Sequence, residues 1–102
     1  MAYDDSVVTS VIKGRGVVLA RITGEIDLAN CGQLSEALRG PAGRVLLVDL
    51  GAVTFMDAAG IRELLRLRDG AVCMRVIHAS PAVERLLRLT GLYAELCRPQ
   101  AV

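Results

Sequence analysis

Aromatic side chains are scarce in this 102-residue sequence, which has one phenylalanine, two tyrosines and no tryptophan. Because apolar residues still make up 53% of the chain, the core must be aliphatic, and it offers little stacking surface for bases, sugars or flat cofactors. The sequence also has no marked excess of either positive or negative side chains, since 12 basic and 11 acidic residues leave a formal net charge of only +1. The sequence therefore lacks the clustered positive charge of a nucleic-acid-binding protein.

Signatures of disulfides, metal sites and membrane segments are missing as well. The three cysteines, Cys31, Cys73 and Cys97, are odd in number and have no paired spacing, which argues against a disulfide framework. A single histidine and the lack of a CxxC motif argue against a zinc site. The acidic N-terminus (MAYDDSVVTS) has no apolar signal core, and no uncharged apolar run approaches the roughly 18 residues of a membrane span. These absences predict a cytoplasmic protein without a metal, a cofactor or a membrane-inserted segment.

The apolar patterns predict an α/β fold in a single domain over residues 1–102, with 1–5 and 99–102 as loose termini. The predicted elements in chain order are strands at 7–12 and 17–22, a helix after Asp27, a strand at 45–50, a helix at 59–68, a strand at 72–77, a helix after Ser80-Pro81 and a short final segment within 92–98. Because strands and helices alternate after an initial hairpin, we expect a mixed, mostly parallel sheet with helices packed against it. The run VLLVDL at 45–50 predicts a central parallel strand covered on both faces, followed by a loop at 51–58.

Residues suited to helix ends mark where the predicted helices begin and stop. Asp27 is the expected N-cap of the first helix, which Gly40-Pro41 ends, and Ser80-Pro81 begins the last long helix. Gly91 suits the left-handed position just after that helix. Helical periodicity turns these residues of the first helix to the core: Cys31, Leu34, Ala37 and Leu38.

Candidates for catalytic chemistry are few. His78 and Ser80 form a conceivable catalytic pair, but no third residue stands out to orient the histidine, and a strand end followed by a helix cap explains both. Four acids are able to gather at one edge of the sheet: Glu25, Asp27, Asp49 and Asp57. Their spacing matches no metal-binding loop, and the phosphate-binding patterns GxxxxGK[ST] and GxGxxG are absent. The sequence therefore favours a binding protein over an enzyme.

The segment Asp57-Ala58-Ala59-Gly60 links the buried strand to the next helix. Asp57 is suited to cap that helix, which places the amides of the first turn beneath its carboxylate. On these residues alone, an ordinary helix cap on a loop explains the segment, and a functional interpretation has to come from resemblance.

Three stretches in register resemble the STAS domain, the fold of bacterial anti-sigma factor antagonists. Residues 23–29 (TGEIDLA) are similar to the family's G-E-[LI]-D-x-A, and residues 48–57 (VDLGAVTFMD) to its V-D-L-x-x-V-x-F-[IM]-D. Gly60-Ile61 follows at the expected place, and residues 80–92 (SPAVERLLRLTGL) resemble the closing helix, P-x-V-x-x-x-L-x-x-[TS]-G-L. The resemblance spans nearly the whole chain and implies the STAS fold.

The resemblance also implies a function and exposes a departure from the family. An antagonist binds an anti-sigma factor, usually a small kinase-like protein, and so frees a sigma factor for transcription. The kinase ends the interaction by phosphorylating the first hydroxyl of a D-S-[ST]-G stretch. Here Asp57 and Gly60 match, but Ala58 stands at the phosphorylated position and Ala59 also lacks a hydroxyl. We therefore expect the binding surface without the usual phosphorylation switch.

The expected binding surface surrounds residues 55–63, with Asp27 nearby. Ile61 is expected to anchor the helix from below, while Arg62 and Glu63 point outward. The residues assigned to partner binding are Asp27, Asp57, Ala58, Ala59, Gly60, Arg62 and Glu63.

Two further interpretations stay open. Some stand-alone STAS proteins are structural subunits of lipid transporter complexes, packed against an ATPase, and this is the alternative function. The cysteines offer a redox input: Cys31 lies near a predicted helix N-terminus, where the dipole favours thiolate, and Cys97 lies in the tail. Packing as small apolar side chains is the competing explanation for all of them.

Overall fold

The computed structural model describes residues 8–40 and 43–97. The strands are β1 (Val8–Lys13), β2 (Val17–Ile26), β3 (Val45–Met56) and β4 (Cys73–Ala79). The helices are α1 (Cys31–Ala37), α2 (Ala58–Asp69), α3 (Pro81–Leu89) and α4 (Tyr93–Cys97). This order is the predicted one, whereas the predicted loose termini and Pro41 lie outside the described residues.

The four strands form one mixed sheet in the order β1-β2-β3-β4. β1 and β2 are antiparallel, as in the predicted hairpin, and the turn between them contains Gly16 with a φ of 70°. β2 pairs with β3 in parallel, and β3 pairs with β4 in parallel. The predicted fold class, with β3 as a central parallel strand, is therefore confirmed.

The core lies on one face of this sheet. Strand residues Ala20, Ile22, Leu46, Val48 and Val76 are at most 1% exposed, and they form a single cluster with the buried residues of all four helices. The helical members include Leu34 of α1, Leu64 of α2, Leu87 of α3 and Leu96 of α4. None of the helices that the structure describes is long and apolar enough to cross a membrane.

The described helices leave the opposite face of the sheet, here called the open face, largely uncovered. It carries Ser10, Ile12, Val17, Leu19, Arg21, Val45, Leu47, Asp49, Arg75, Ile77 and His78. Ile12 is 67% exposed and Leu47 is only half-buried, so the expectation that residues 45–50 are covered on both faces is wrong. Leu47 pairs in register with Leu19, and apolar side chains on neighbouring strands partly shield each other without a helix above them.

The predicted loop at 51–58 is also wrong, because β3 continues to Met56 and β2 continues to Ile26. The two extensions pair with each other, from Thr23 opposite Ala52 to Ile26 opposite Met56. Register shifts interrupt this pairing twice, and Gly24 adopts a φ of 99°. Such irregularities break the two-residue alternation by which a strand is recognised in a sequence.

The predicted end residues of α3 are confirmed, whereas the predicted N-cap of α1 is wrong. Ser80 caps α3, its Oγ accepting from the Val83 amide at 3.2 Å, and Gly91 follows with a φ of 77°, both as predicted. Asp27 does not cap α1, whose N-cap is Asn30. Its carboxylate instead accepts from the Ala29 amide at 3.0 Å and the Asn30 amide at 3.2 Å, so it stabilises the turn before the helix.

The core face of α1 is narrower than its periodicity predicts. Leu34 and Leu38 are buried and Cys31 is half-buried, but Ala37 is exposed.

Candidate functional site

The candidate site lies at the edge of the sheet where β2 and β3 end together. Ile26 pairs in register with Met56, and each is followed by an aspartate, Asp27 and Asp57. The Asp57 amide donates to the Ile26 carbonyl at 3.2 Å, which ties the start of α2 to the end of β2. The structure therefore brings together the two aspartates that the sequence placed near each other.

Asp57 is the N-cap of α2, as predicted. Its Oδ1 accepts from the Ala59 amide at 2.9 Å and from the Gly60 amide at 3.2 Å. These two amides have no partner within the helix, so the carboxylate satisfies them and complements the positive end of the helix dipole. The cap fixes where the first turn begins and so where Ala58 is presented.

Gly60 allows this first turn to pack tightly on the two strand ends. A Cβ at position 60 would lie 2.6 Å from Met56 Cγ and 3.0 Å from Ile26 Cγ2. Both neighbours are buried, and real Cβ atoms do not approach other atoms that closely. The glycine is therefore needed for close approach rather than for a special backbone angle.

We expect Gly60→Ala to lower the free energy of unfolding by about 1–2 kcal/mol. Overpacking costs about 1–3 kcal/mol, and the better helix propensity of alanine offsets about 1 kcal/mol at most. Urea unfolding followed by circular dichroism measures the change. Gly32→Ala in α1 is the matched control, because its Cβ would meet nothing within 4 Å. An unchanged midpoint for Gly60→Ala would contradict the close packing.

The remaining predicted residues of α2 divide between surface and core. Ala58 and Arg62 are exposed, Ala59 is half-buried, and Gly60 and Ile61 are buried. Ile61 therefore anchors the helix as expected.

Glu63, predicted to point outward, is only 4% exposed. It lies three residues after Gly60 and four before Leu67, on the buried stripe of α2. Its Oε1 is 3.6 Å from Arg66 Nη1, while its Oε2 accepts no hydrogen bond from the described residues. Glu63 in this structure is therefore a core-side residue and not part of the surface.

Two exposed apolar residues border the site. The sequence interpretation named neither of them, although residue 55 begins the stretch that it assigned to the binding surface. Leu28, directly after Asp27, is 74% exposed, and Phe55, two residues before Asp57, is 47% exposed. Two features of the sequence could have pointed to them, namely a leucine within a turn and the only phenylalanine of the chain. We define the end surface as Asp27, Leu28, Phe55, Asp57, Ala58, Ala59 and Arg62. Exposed apolar side chains rimmed by charged ones are typical of protein-binding surfaces.

The four acids considered for a metal site do not assemble. Glu25, Asp27 and Asp57 lie near the ends of β2 and β3, but Asp49 lies on the open face between Arg21 and His78. Among the described residues, no group of three or more His, Cys, Asp or Glu side chains is placed to hold a metal ion.

The hydrogen bonds of Asp49 hold it in the charged form. Its Oδ1 accepts from the Gly51 amide at 2.9 Å, and its Oδ2 lies 3.3 Å from Arg21 Nε and 3.4 Å from His78 Nδ1. The Gly51 amide is the main cause that lowers the pKa of the Asp49 carboxyl, and Arg21 and His78 add to it against the opposing effect of burial.

This lowered pKa predicts acid sensitivity. The carboxyl of Asp49 has an ordinary pKa of 3.8, and its folded value lies below that. Its stabilising contribution is therefore complete above the unfolded value and is lost as the pH falls through the folded value. In urea unfolding, the difference between wild type and Asp49→Asn should be largest near neutral pH and shrink below about pH 4. A difference independent of pH would contradict the role of the charge, and Asp69→Asn at the exposed end of α2 serves as control.

His78 and Ser80, the conceivable catalytic pair, differ in burial and bond to different partners. His78 is exposed on the open face, where its ring is directed to Asp49. Ser80 is buried, and its hydroxyl oxygen caps α3. Each residue thus has a structural partner of its own.

The cysteines are free and half-buried. Cys31 is the first residue of α1. Burial raises the pKa of the Cys97 thiol, which lowers its thiolate fraction and so its reactivity. A redox input through Cys31 or Cys97 stays a prediction.

Several known proteins are similar to this chain in sequence and in fold. The family described as "Mlab, STAS domain" matches residues 9–97. The anti-sigma-F factor antagonist RsfB of Mycobacterium tuberculosis is 30% identical over 98 residues, covering 90% of this chain and 80% of RsfB. A crystal structure of an anti-sigma factor antagonist from Mycobacterium paratuberculosis superposes with a TM-score of 0.76 at 28% identity, covering 94% of this chain and 87% of that one.

A second solved structure supports the fold alone. The anti-sigma factor antagonist SpoIIAA in its unphosphorylated form superposes with a TM-score of 0.62 at 22% identity, over 83% of this chain and 82% of that one. The element order, the three motifs and the family match agree along nearly the whole sequence. The chain belongs to the STAS domain family, in which its similar relatives are named as anti-sigma factor antagonists.

Proposed function

We propose that this protein is an anti-sigma factor antagonist that binds an anti-sigma factor in the cytoplasm through the end surface and thereby frees a sigma factor. The observation that carries the proposal is the end surface itself, on a chain 30% identical to a named antagonist. Leu28 and Phe55 supply exposed apolar contacts, and the Asp57 cap fixes where α2 begins. This arrangement suits binding, and it lacks the converging polar groups of a catalytic site.

We further propose that the partner is a kinase-like anti-sigma factor and that this chain escapes its kinase activity. Ala58 is exposed on the first turn of α2, at the position of the family's phosphorylated serine. Neither Ala58 nor Ala59 has a hydroxyl to accept phosphate. The binding-competent form therefore persists for as long as the domain is folded.

Substitutions at the end surface test the proposal. Leu28→Ala should weaken binding to the anti-sigma factor about tenfold or more, because an apolar contact worth at least 1.4 kcal/mol is lost. Leu89→Ala is the matched control, since Leu89 is 76% exposed on α3 and Leu28 is 74% exposed. Isothermal titration calorimetry measures both affinities, and equal losses for the two variants would place the interface elsewhere.

Charge reversal at Arg62 gives an independent test of the same surface. Arg62→Glu should weaken binding without moving the melting temperature, because the side chain is exposed and makes no ion pair with the described residues. Arg85→Glu on α3, also exposed, should leave the affinity unchanged. Wild-type affinity for Arg62→Glu would remove that residue from the interface.

The alternative function, a structural subunit of a lipid transporter complex, predicts a different partner. A pull-down from the native lysate should then recover an ATPase subunit instead of an anti-sigma factor. A kinase-like gene beside this one favours the antagonist, and a permease gene favours the transporter subunit.

A further inference from the structure

The turn between β2 and α1 holds Leu28 away from the core. Leu28 is 74% exposed, whereas Ile26 before it and Asn30 after it are 0% and 3% exposed. Asp27 and Asn30 close the turn reciprocally. The Asp27 amide donates to Asn30 Oδ1 at 2.9 Å, and the Asn30 amide donates to Asp27 Oδ1 at 3.2 Å. Leu28 therefore lies between two residues whose side chains each bond to the backbone of the other.

The side chain of Asn30 is committed to this turn and not to the helix that follows. Asn30 occupies the N-cap position of α1, where an asparagine side chain ordinarily accepts from an amide of the first turn. It makes no such capping bond with α1, whose residues are all described. Instead, Oδ1 accepts from the Asp27 amide and Nδ2 donates to the Glu25 carbonyl oxygen at 2.6 Å. Because Asn30 is only 3% exposed, it offers no contact surface to a partner.

The end of β2 supports both halves of the end surface. The Glu25 carbonyl accepts from Asn30, which ties the turn with Leu28 to β2. The next carbonyl along the chain, that of Ile26, accepts from the Asp57 amide at 3.2 Å, which ties the start of α2 to the same strand. Two consecutive carbonyls of one strand thus fix the turn relative to the first turn of α2.

We propose that Asn30 is a positioning residue for partner binding, which holds the turn against the end of β2 so that Leu28 meets the anti-sigma factor in a preformed orientation. This role rests on the proposed function of the end surface, and it adds a buried residue that acts through Leu28 instead of by contact. Ordering a turn during association reduces affinity, so a turn that is already ordered raises it.

A double-mutant cycle between Asn30 and Leu28 tests this role. Asn30→Ser keeps a residue type that suits the N-cap of α1, but it has one hydroxyl in place of the two terminal atoms that bond to Asp27 and Glu25. The variant should weaken binding to the anti-sigma factor about fivefold by calorimetric titration, less than Leu28→Ala does. In the Leu28→Ala background the same change should have little effect, because the side chain that Asn30 positions is already absent.

Ser80→Ala is the matched control for loss of a buried polar side chain. Ser80 is 6% exposed, and its hydroxyl oxygen caps α3 by accepting from the Val83 amide. Its own amide donates to the Leu50 carbonyl, in the middle of β3, whereas the end surface lies where β3 ends. Ser80→Ala should therefore lower the melting temperature and leave the affinity unchanged.

The unbound chain gives a second measurement that needs no partner. In Asn30→Ser, the Asp27 amide should exchange with D₂O faster, and the backbone ¹⁵N order parameter of Leu28 should fall. Amides in the middle of β3 should keep their wild-type protection, which shows that the domain is folded.

Three results would overturn the positioning role. They are equal losses of affinity by Asn30→Ser in the wild-type and Leu28→Ala backgrounds, an unaltered order parameter at Leu28, and wild-type affinity for Asn30→Ser where Leu28→Ala binds weakly. The last of these would leave the proposed function standing. The absence of any complex between the wild-type chain and the anti-sigma factor would contradict the proposed function itself, and the positioning role with it.

Discussion

Leu46→Asp should prevent folding, whereas Leu47→Asp, the same change at the next residue, should give a soluble protein that melts cooperatively. Leu46 is 0% exposed in the core beneath the helices, and an unpaired carboxylate buried there costs several kcal/mol out of a total stability of about 5–15 kcal/mol. Leu47 is half-buried on the open face and pairs in register with Arg75, which lies close enough to accept an acidic neighbour.

Expression in soluble form and thermal melting by circular dichroism separate the two variants. The wild type and Leu47→Asp should both show a single transition, with a lower midpoint for the variant. If Leu47→Asp failed to fold as completely as Leu46→Asp, the open face would have to be covered, as the apolar run had predicted.

Ala58→Glu should weaken binding to the anti-sigma factor about tenfold or more while leaving the fold intact. In the proposed interface, the small side chain at position 58 would let a partner approach the first turn of α2 closely, and glutamate would fill that space and bring a charge that has to be desolvated. An acidic residue at a helix N-terminus is favourable for the domain itself, so the melting temperature should not fall. Calorimetric titration beside a thermal melt measures both quantities, and undiminished affinity would remove position 58 from the interface.

Ala58→Ser is the restoring counterpart of this variant. It should bind like the wild type in the absence of ATP and gain one phosphate when it is incubated with a kinase-like partner and ATP. The phosphate would add about −1.5 to −2 charge at the start of α2, where the amides tolerate it, so its effect would fall on the partner.

Local chemistry explains which parts of the fold were predictable. The caps at Ser80 and Asp57 and the left-handed Gly91 each depend on one residue and its neighbours in the chain, and each is present as predicted. The central position of β3 was predictable because VLLVDL is too apolar for an edge strand.

Other features depend on contacts that the sequence does not display. The continuation of β3 through Phe55 requires β2 to extend beside it, with two register shifts that hide the strand pattern. The half-exposure of Leu47 depends on the absence of described helices above the open face, and an apolar run looks the same on a covered or an uncovered face. Glu63 is buried by its position on the helix stripe, although its charge suggested a surface residue.

The candidate site was predictable in part. The resemblance placed Asp57, Ala58 and Gly60 at the start of a helix. In the structure, this helix start lies beside the end of β2, which Asp27 follows. The resemblance did not single out Leu28 or Phe55, because the exposure of these two side chains depends on the turn after β2 and on the paired strand ends. The steric need for Gly60 likewise appears only once Met56 and Ile26 are known to lie beneath it.

The most direct test of the proposed function is the affinity of the purified chain for an anti-sigma factor encoded in the same genome, measured by calorimetry before and after incubation of the mixture with ATP and Mg²⁺. We expect a complex of the same affinity in both cases and no added phosphate on the 54–60 peptide by mass spectrometry, because Ala58 offers no hydroxyl. The absence of any complex would contradict the antagonist function. A loss of affinity after ATP, together with one phosphate on that peptide, would contradict the claim that the binding form persists without a phosphorylation switch.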